Sequence, residues 1–107
     1  MLVLKVSKMG GLANALLAVQ IAREAGIGLL GSGLTESSLG FAASAHLYGA
    51  FGTVPLADLN GPQFLADDPI VDPLRIERGR TFTTSAPGIG VTVSEEKLVR
   101  YGLRSPS

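Results

Sequence analysis

The stretch Leu2-Val3-Leu4-Lys5-Val6-Ser7-Lys8-Met9-Gly10-Gly11 decides how the rest of the chain is read. Leu2 to Val6 is an apolar run with a lysine inside it, and a double glycine closes the stretch before a helical pattern begins. A buried parallel strand is a continuous apolar run, so an ammonium within one requires a reason. Two readings fit Lys5. It lies on an exposed edge strand and is simply solvated. Or it stands at the end of a strand before a βα loop, where α/β folds place their ligands.

Working outward, the apolar positions Leu12, Leu16, Val19 and Ala22 recur near every 3.6 residues, with Leu17 and Ile21 widening the stripe. They predict a helix over Leu12–Ala25, ended by Gly26. Ile27 to Leu30 reads as a second short strand and Gly31 to Glu36 as the loop after it. With Leu2–Val6 as the first strand and Ser7–Gly11 as a short loop, strand, helix and strand in about thirty residues make one parallel crossover unit. A small-residue helix follows, capped by Ser37 or Ser38 and carrying Phe41, Ala45, Leu47 and Tyr48 to about Ala50. Val54 to Leu59 reads as a third strand with Pro55 near its start. Beyond Asn60-Gly61-Pro62 the pattern changes. Leu74–Glu77 and Thr81–Thr83 alternate about Arg78-Gly79-Arg80 and predict a β-hairpin, Pro87–Gly90 a turn, and Ser94 the cap of a short helix through Tyr101. The tail Arg104–Ser107 is expected to fray.

The 107 residues suffice for one small domain. Apolar residues are 46% and charged ones 17%, below the globular average of about 25% charged. A small domain should carry more charge, so part of this apolar surface is expected to lie against something else. Nine basic and nine acidic side chains leave no electrostatic footprint for nucleic acid or an anionic membrane. With no cysteine and no apolar run of about 18 residues, the expectation is a soluble, cytoplasmic protein with neither disulfides nor thiolate metal sites.

Lys5, Glu36 and Asp58 all fall at or just after strand ends, and parallel α/β folds bring such positions to one face. A lysine with two carboxylates suits proton transfer. Other motifs point elsewhere. Gly31-x-Gly33 opens like a dinucleotide turn, but Glu36 stands where the third glycine belongs and would face a pyrophosphate. His46 has alanines at i−4 and i+4 and reads as structural. Asp67-Asp68 beside Pro69 reads as a turn or a cap rather than a metal pair. Ser94-x-x-Lys97 has the spacing of a serine–lysine nucleophile but merely opens a polar helix.

Four segments in order resemble one family. Lys5–Gly11 with the following helix and Ala25–Leu29 is similar to the sixth strand and helix of muconate cycloisomerase-like enzymes of the enolase superfamily. Gly31-Ser32-Gly33-Leu34-Thr35-Glu36-Ser37-Ser38-Leu39-Gly40 with Ala42–His46 resembles that family's seventh strand end and helix. Asp58-Leu59-Asn60-Gly61-Pro62 resembles the eighth strand end. Pro87–Val91 with the Glu95–Leu98 helix resembles the closing segment. The resemblance implies an α/β fold, strands 6–8 of a (β/α)8 barrel over residues 1–62, and a C-terminal extension over 63–107 packing back on barrel or capping domain.

It also implies proton transfer α to a carboxylate, through an enolate stabilised by Mg2+ or Mn2+. Lys5 would be an acid/base or electrostatic group on one face of the substrate and Asp58 a further catalytic residue, with Asn60 beside a small carboxylate substrate and Glu36 near it as a supporting or substrate-side group. Asp58 stands where cycloisomerases carry a glutamate and dipeptide epimerases an aspartate. Asn60 replaces the second aspartate of the epimerase pair. A dipeptide epimerase, racemase or dehydratase of the same superfamily is therefore the alternative. The family's metal ligands lie on its third to fifth strands and its other lysines on the second, so neither the ligands nor the partner lysine is expected here. The chain would correspond to roughly the last third of an enzyme with such a barrel, inactive alone, and the full-length family would form homo-oligomers. Three strands cannot close an eight-stranded barrel. Outside enzymes, the chain would be an α/β module that oligomerises through open strand edges.

Overall fold

A computed structural model describes residues 1–52 and 57–102. Three strands, β1 (Leu2–Leu4), β2 (Leu29–Thr35) and β3 (Asp58–Asn60), form a parallel sheet in the order β1-β2-β3. Helix α2 (Leu12–Glu24) joins β1 to β2, and α3 (Ser38–Phe51) joins β2 toward β3. The parallel βαβαβ order expected from the sequence is present. The predicted third strand began at Val54, and Val54 and Pro55 lie outside the described residues, as does the Arg104–Ser107 tail.

Several boundaries differ from the sequence reading. β1 ends at Leu4 rather than Val6, and Val6–Met9 forms a one-turn helix, α1, where a loop was expected. Lys5 remains extended (φ −127°, ψ 119°) and its carbonyl accepts from the amides of Lys8 and Met9. Lys5 is thus both the last extended residue and the start of a helical turn, which fixes its Cα tightly. β2 runs to Thr35, so Gly31–Thr35 is strand and not loop. The expected hairpin around Arg78-Gly79 is reduced to a single antiparallel bridge between Glu77 and Arg80. Exposed arginines flank that turn and offer little apolar surface to hold a longer ladder together.

The core lies between the sheet and the two long helices. Leu4, Val6, Ala15, Val19, Leu47 and Tyr48 are buried together, with Leu59 and Phe51 packed against them. Ala15, Val19 and Ala22 carry the buried side of α2. Leu12, Leu17 and Ile21, expected in the apolar stripe, are exposed. α2 closes where Gly26 was expected to end it: the Gly26 amide donates to the Arg23 carbonyl and the Ile27 amide to Ala22. Arg23 crosses to α3, donates to the Phe51 carbonyl and lies 5.3 Å from the Phe51 ring centroid, placing a cation at that helix's C-terminus.

Residues 61–101 fold back over the N-terminal end of α3. The Asp68 carboxylate accepts from the Ser38 amide at 2.9 Å, and the Ser38 hydroxyl accepts from the Leu74 amide at 3.2 Å. His46 Nε2 lies 3.2 Å from the Ile89 carbonyl, consistent with a structural histidine. Helix α4 (Glu95–Tyr101) begins at Ser94, whose hydroxyl accepts from the Lys97 amide as the sequence predicts. Lys97 Nζ then donates to Asp67 and to the carbonyls of Asp68 and Ile70, pinning α4 to the Asp67–Ile70 segment.

Candidate functional site

The sheet register builds the site. Leu4 pairs with Gly31, so Lys5 and Ser32 are the next residues along, and Ser32 pairs with Asp58 on the third strand. Side chains in one row of a parallel sheet share a face. Lys5, Ser32 and Asp58 therefore form one row, on the side of the sheet away from α3.

Their side chains meet. Lys5 Nζ donates to Ser32 Oγ at 2.7 Å and to the Gly33 carbonyl at 2.9 Å. Ser32 Oγ donates to Asp58 Oδ2 at 3.3 Å. An ammonium has three donors and no acceptor, so the direction of this chain is set: Ser32 receives from lysine and keeps its own proton for Asp58. Two of the three ammonium protons are engaged by these partners, and the third has no partner among the described residues. Ser32 is 2% exposed, Lys5 half-buried and Asp58 exposed, so the row runs from the floor of the site to its open side.

The opposite face of the same strands locks this row in place. Tyr48 of α3 reaches between β1 and β2, and its hydroxyl lies 2.7 Å from the Leu4 carbonyl and 2.9 Å from the Ser32 carbonyl. One phenolic proton serves both carbonyls, one on each side of the β1–β2 seam. Burial pushes the Tyr48 phenol above its ordinary range, and the nearby Glu36 charge adds to that. Gly31 makes the approach possible, since a Cβ there would fall 2.8 Å from the Tyr48 ring.

Of the other two candidates, Glu36 turns toward α3. Its Oε2 accepts from the Ser44 hydroxyl at 3.4 Å, and the Glu36 amide faces the Asn60 carbonyl at 3.5 Å. Gly61, with φ 154°, brings the end of β3 against the Glu36 backbone so closely that any Cβ would overlap it. Asn60 pairs with Thr35 and meets Glu36 through its main chain. The structure thus joins Lys5 to Asp58, and Glu36 to Asn60 through backbone alone. Sequence reasoning passed over Ser32 and Tyr48. Ser32 was hidden by its glycine neighbours, which made a strand resemble a loop; aligning Lys5 with Asp58 across parallel strands would have pointed to it.

A divalent cation fits these residues poorly. Among the described residues no three His, Cys, Asp or Glu side chains converge. The Asp58 carboxylate shares its hydroxyl partner with a lysine ammonium, whose charge opposes a second cation there.

A family model described as enolase C-terminal domain-like matches residues 1–97. Chloromuconate cycloisomerase from Pseudomonas putida is 38% identical over 99 residues, covering 92% of this chain and 27% of that protein. Muconate cycloisomerase 1 from Acinetobacter baylyi is 38% identical over 95 residues, covering 88% of this chain and 26% of its own length. Among solved structures, a muconate lactonizing enzyme from Klebsiella pneumoniae superposes with a TM-score of 0.82 at 35% identity, over 95% of this chain and 29% of that one. A muconate lactonizing enzyme from Pseudomonas fluorescens complexed with muconolactone gives 0.76 at 34% identity, over 92% and 27%. The chain spans about a quarter of the length of the curated relatives it matches.

Proposed function

This chain belongs to the enolase C-terminal domain-like family, and from that membership we propose that it is the lysine-bearing segment of a muconate cycloisomerase-like isomerase. In this reading β1, β2 and β3 are strands 6, 7 and 8 of a (β/α)8 barrel, residues 1–62 are barrel and residues 63–107 are the extension that packs back on it. The observation that carries the reading is the Lys5–Ser32–Asp58 row, a buried-to-open line of polar groups across three parallel strands.

Lactone formation from a dicarboxylate makes a C–O bond at one end of a conjugated system. As that bond forms, the π pair of the attacked C=C bond shifts into the second carboxylate, which becomes the enolate, and the carbon α to it must take a proton. Lys5 is the acid for that carbon and the base for the reverse step. Its anchored ammonium presents one N–H to the open side, as general acid catalysis requires. Asp58 balances the lysine charge and closes the far side of the row, while Asn60 borders the substrate and Glu36, turned toward Ser44 of α3, supports the end of β2 behind it. The resemblance gives such enzymes a Mg2+ or Mn2+ ion that stabilises the enolate. The described residues build no site for that ion, and in this reading its ligands belong to other strands of the barrel.

The experiment is a hybrid enzyme. Residues 1–97 replace the matching segment of the A. baylyi cycloisomerase, and the hybrid is offered cis,cis-muconate, dipeptides and acid sugars with Mn2+. The proposal expects turnover of muconate and none by the isolated chain. A folded hybrid that acts only on dipeptides or acid sugars assigns the segment to an epimerase or a dehydratase instead.

A further inference from the structure

We infer that Ser32 is the positioning residue of this site, its hydroxyl coupling the Lys5 ammonium to Asp58; the inference rests on the reading of Lys5 as the acid/base group. A lysine side chain has four rotatable bonds and about 2 kcal/mol of rotamer entropy, so it does not stay in one place unaided. Here it is held by two acceptors, Ser32 Oγ at 2.7 Å and the Gly33 carbonyl at 2.9 Å. Both sit on β2, one residue apart. The carbonyl is fixed by the backbone; the hydroxyl rotates and has one hydrogen of its own.

That hydrogen can go only one way. Lysine offers no lone pair, so the hydroxyl accepts from Nζ and turns its proton to Asp58 Oδ2, 3.3 Å away. Such chains polarise: a carboxylate pulling on the hydroxyl proton makes the oxygen a better acceptor for the ammonium. Ser32 is also the most enclosed member of the row, 2% exposed, so water does not compete freely for its hydroxyl. Tyr48 supports the arrangement from behind by binding the carbonyls of Leu4 and Ser32, which holds the two strands at one spacing beneath Lys5. Ser32 acts through Lys5, whose ammonium it holds. It decides where the ammonium points and lets Asp58 be felt at Lys5 without direct contact.

The test is a double-mutant cycle on the full 107-residue chain, labelled with 15N at lysine Nζ. The readout is hydrogen exchange of individual ammonium groups in cold, mildly acidic buffer. Lys97, bound to Asp67, serves as the internal check that each variant is folded, and exposed Lys8 gives the rate for an unheld ammonium. The Lys5 ammonium should exchange at least fivefold more slowly than Lys8. Ser32→Ala should erase that difference and leave Lys97 unchanged. Asp58→Asn should speed Lys5 exchange when Ser32 is present and have no further effect in Ser32→Ala. If Ser32→Ala does not fold, Ser32→Cys keeps the volume and weakens the acceptor, and the same non-additivity is expected. An Asp58→Asn effect of equal or greater size without the hydroxyl overturns the inference, as does an unchanged Lys5 rate in Ser32→Ala. Turnover by the hybrid enzyme is a separate readout: additive exchange with Lys5-dependent turnover rejects the bridge alone, and the converse pattern rejects the catalytic reading alone.

Discussion

The Asp68 carboxylate accepts a hydrogen bond from the Ser38 backbone amide, 2.9 Å away, and so caps the first turn of α3 from a segment thirty residues downstream. Ser37, at the N-cap position, makes no side-chain capping bond, so the buried first amide of the helix depends on this distant carboxylate. Asp68 is 4% exposed, and its Oδ1 has no partner among the described residues. Asp68→Ala strands a buried amide and should cost about 1–3 kcal/mol in urea unfolding. Asp68→Asn keeps an acceptor for Ser38 and should cost less than the alanine variant. Equal losses would show that the capping bond is not what holds the two segments together.

Tyr48 and Gly31 act as one unit. Tyr48→Phe leaves the Leu4 and Ser32 carbonyls without their hydroxyl donor and should destabilise the chain by about 1–2 kcal/mol. Gly31→Ala drives a methyl into the Tyr48 ring and should cost about 1–3 kcal/mol through overpacking. Thermal unfolding of both single variants and of the Gly31→Ala, Tyr48→Leu double variant checks this: a smaller side chain at position 48 should recover part of the alanine's cost.

Asp67 joins α4 to the loop before it through Lys97 at 2.7 Å and the Tyr101 hydroxyl at 2.7 Å. Hydrogen bonds from Lys97 first, then from Tyr101, hold the Asp67 carboxyl well below the usual carboxylate range. A depressed folded value means the clamp contributes fully above the unfolded carboxylate range, about pH 4, and is lost only as the solution becomes strongly acid. The same bond to Asp67 raises the Tyr101 phenol, so on the alkaline side the contact persists past the ordinary tyrosine range before it is lost. Tyr101 ring signals followed by NMR against pH should show both displaced steps. Asp67→Asn should return the Tyr101 step toward the ordinary phenol range; an unmoved step would contradict the contact.

β1 has no neighbour on its outer side among the described residues, and Leu2 and Val3 are 36% and 47% exposed. Leu17, Ile21 and Ile27 add further exposed apolar surface. An uncovered apolar edge pairs with other chains. Sedimentation of the purified chain should therefore show concentration-dependent association, and Val3→Lys should weaken it. A monomer at every concentration would mean that this edge is protected in solution.

Much of this was legible in the residues themselves. Lys5 stood out because an ammonium interrupts an apolar run; Gly26, Ser94 and the Asp67-Asp68 pair announced an end, a cap and a cap-like turn by their chemistry. The losses have physical reasons. Gly31-Ser32-Gly33 has low strand propensity and reads as a loop, yet tertiary packing requires the glycine at 31 so that Tyr48 can reach the backbone. Val6–Met9 is too short for any helical period to show. Leu17 and Ile21 fit an amphipathic stripe, but only the narrower face that carries Ala15, Val19 and Ala22 is buried, with Ala15 and Val19 set against Leu4, Val6, Leu47 and Tyr48. Ser32 followed from the strand register and from nothing local.

The proposed role of Lys5 is to carry the proton at carbon. In the hybrid cycloisomerase built with residues 1–97, Lys5→Met should lower kcat on cis,cis-muconate by about 10²–10⁴-fold, the range for loss of a general acid. Binding of muconolactone, followed by its own NMR signals, should change far less. A Lys5→Met hybrid that keeps its turnover within a small factor of the parent hybrid would remove Lys5 from that role.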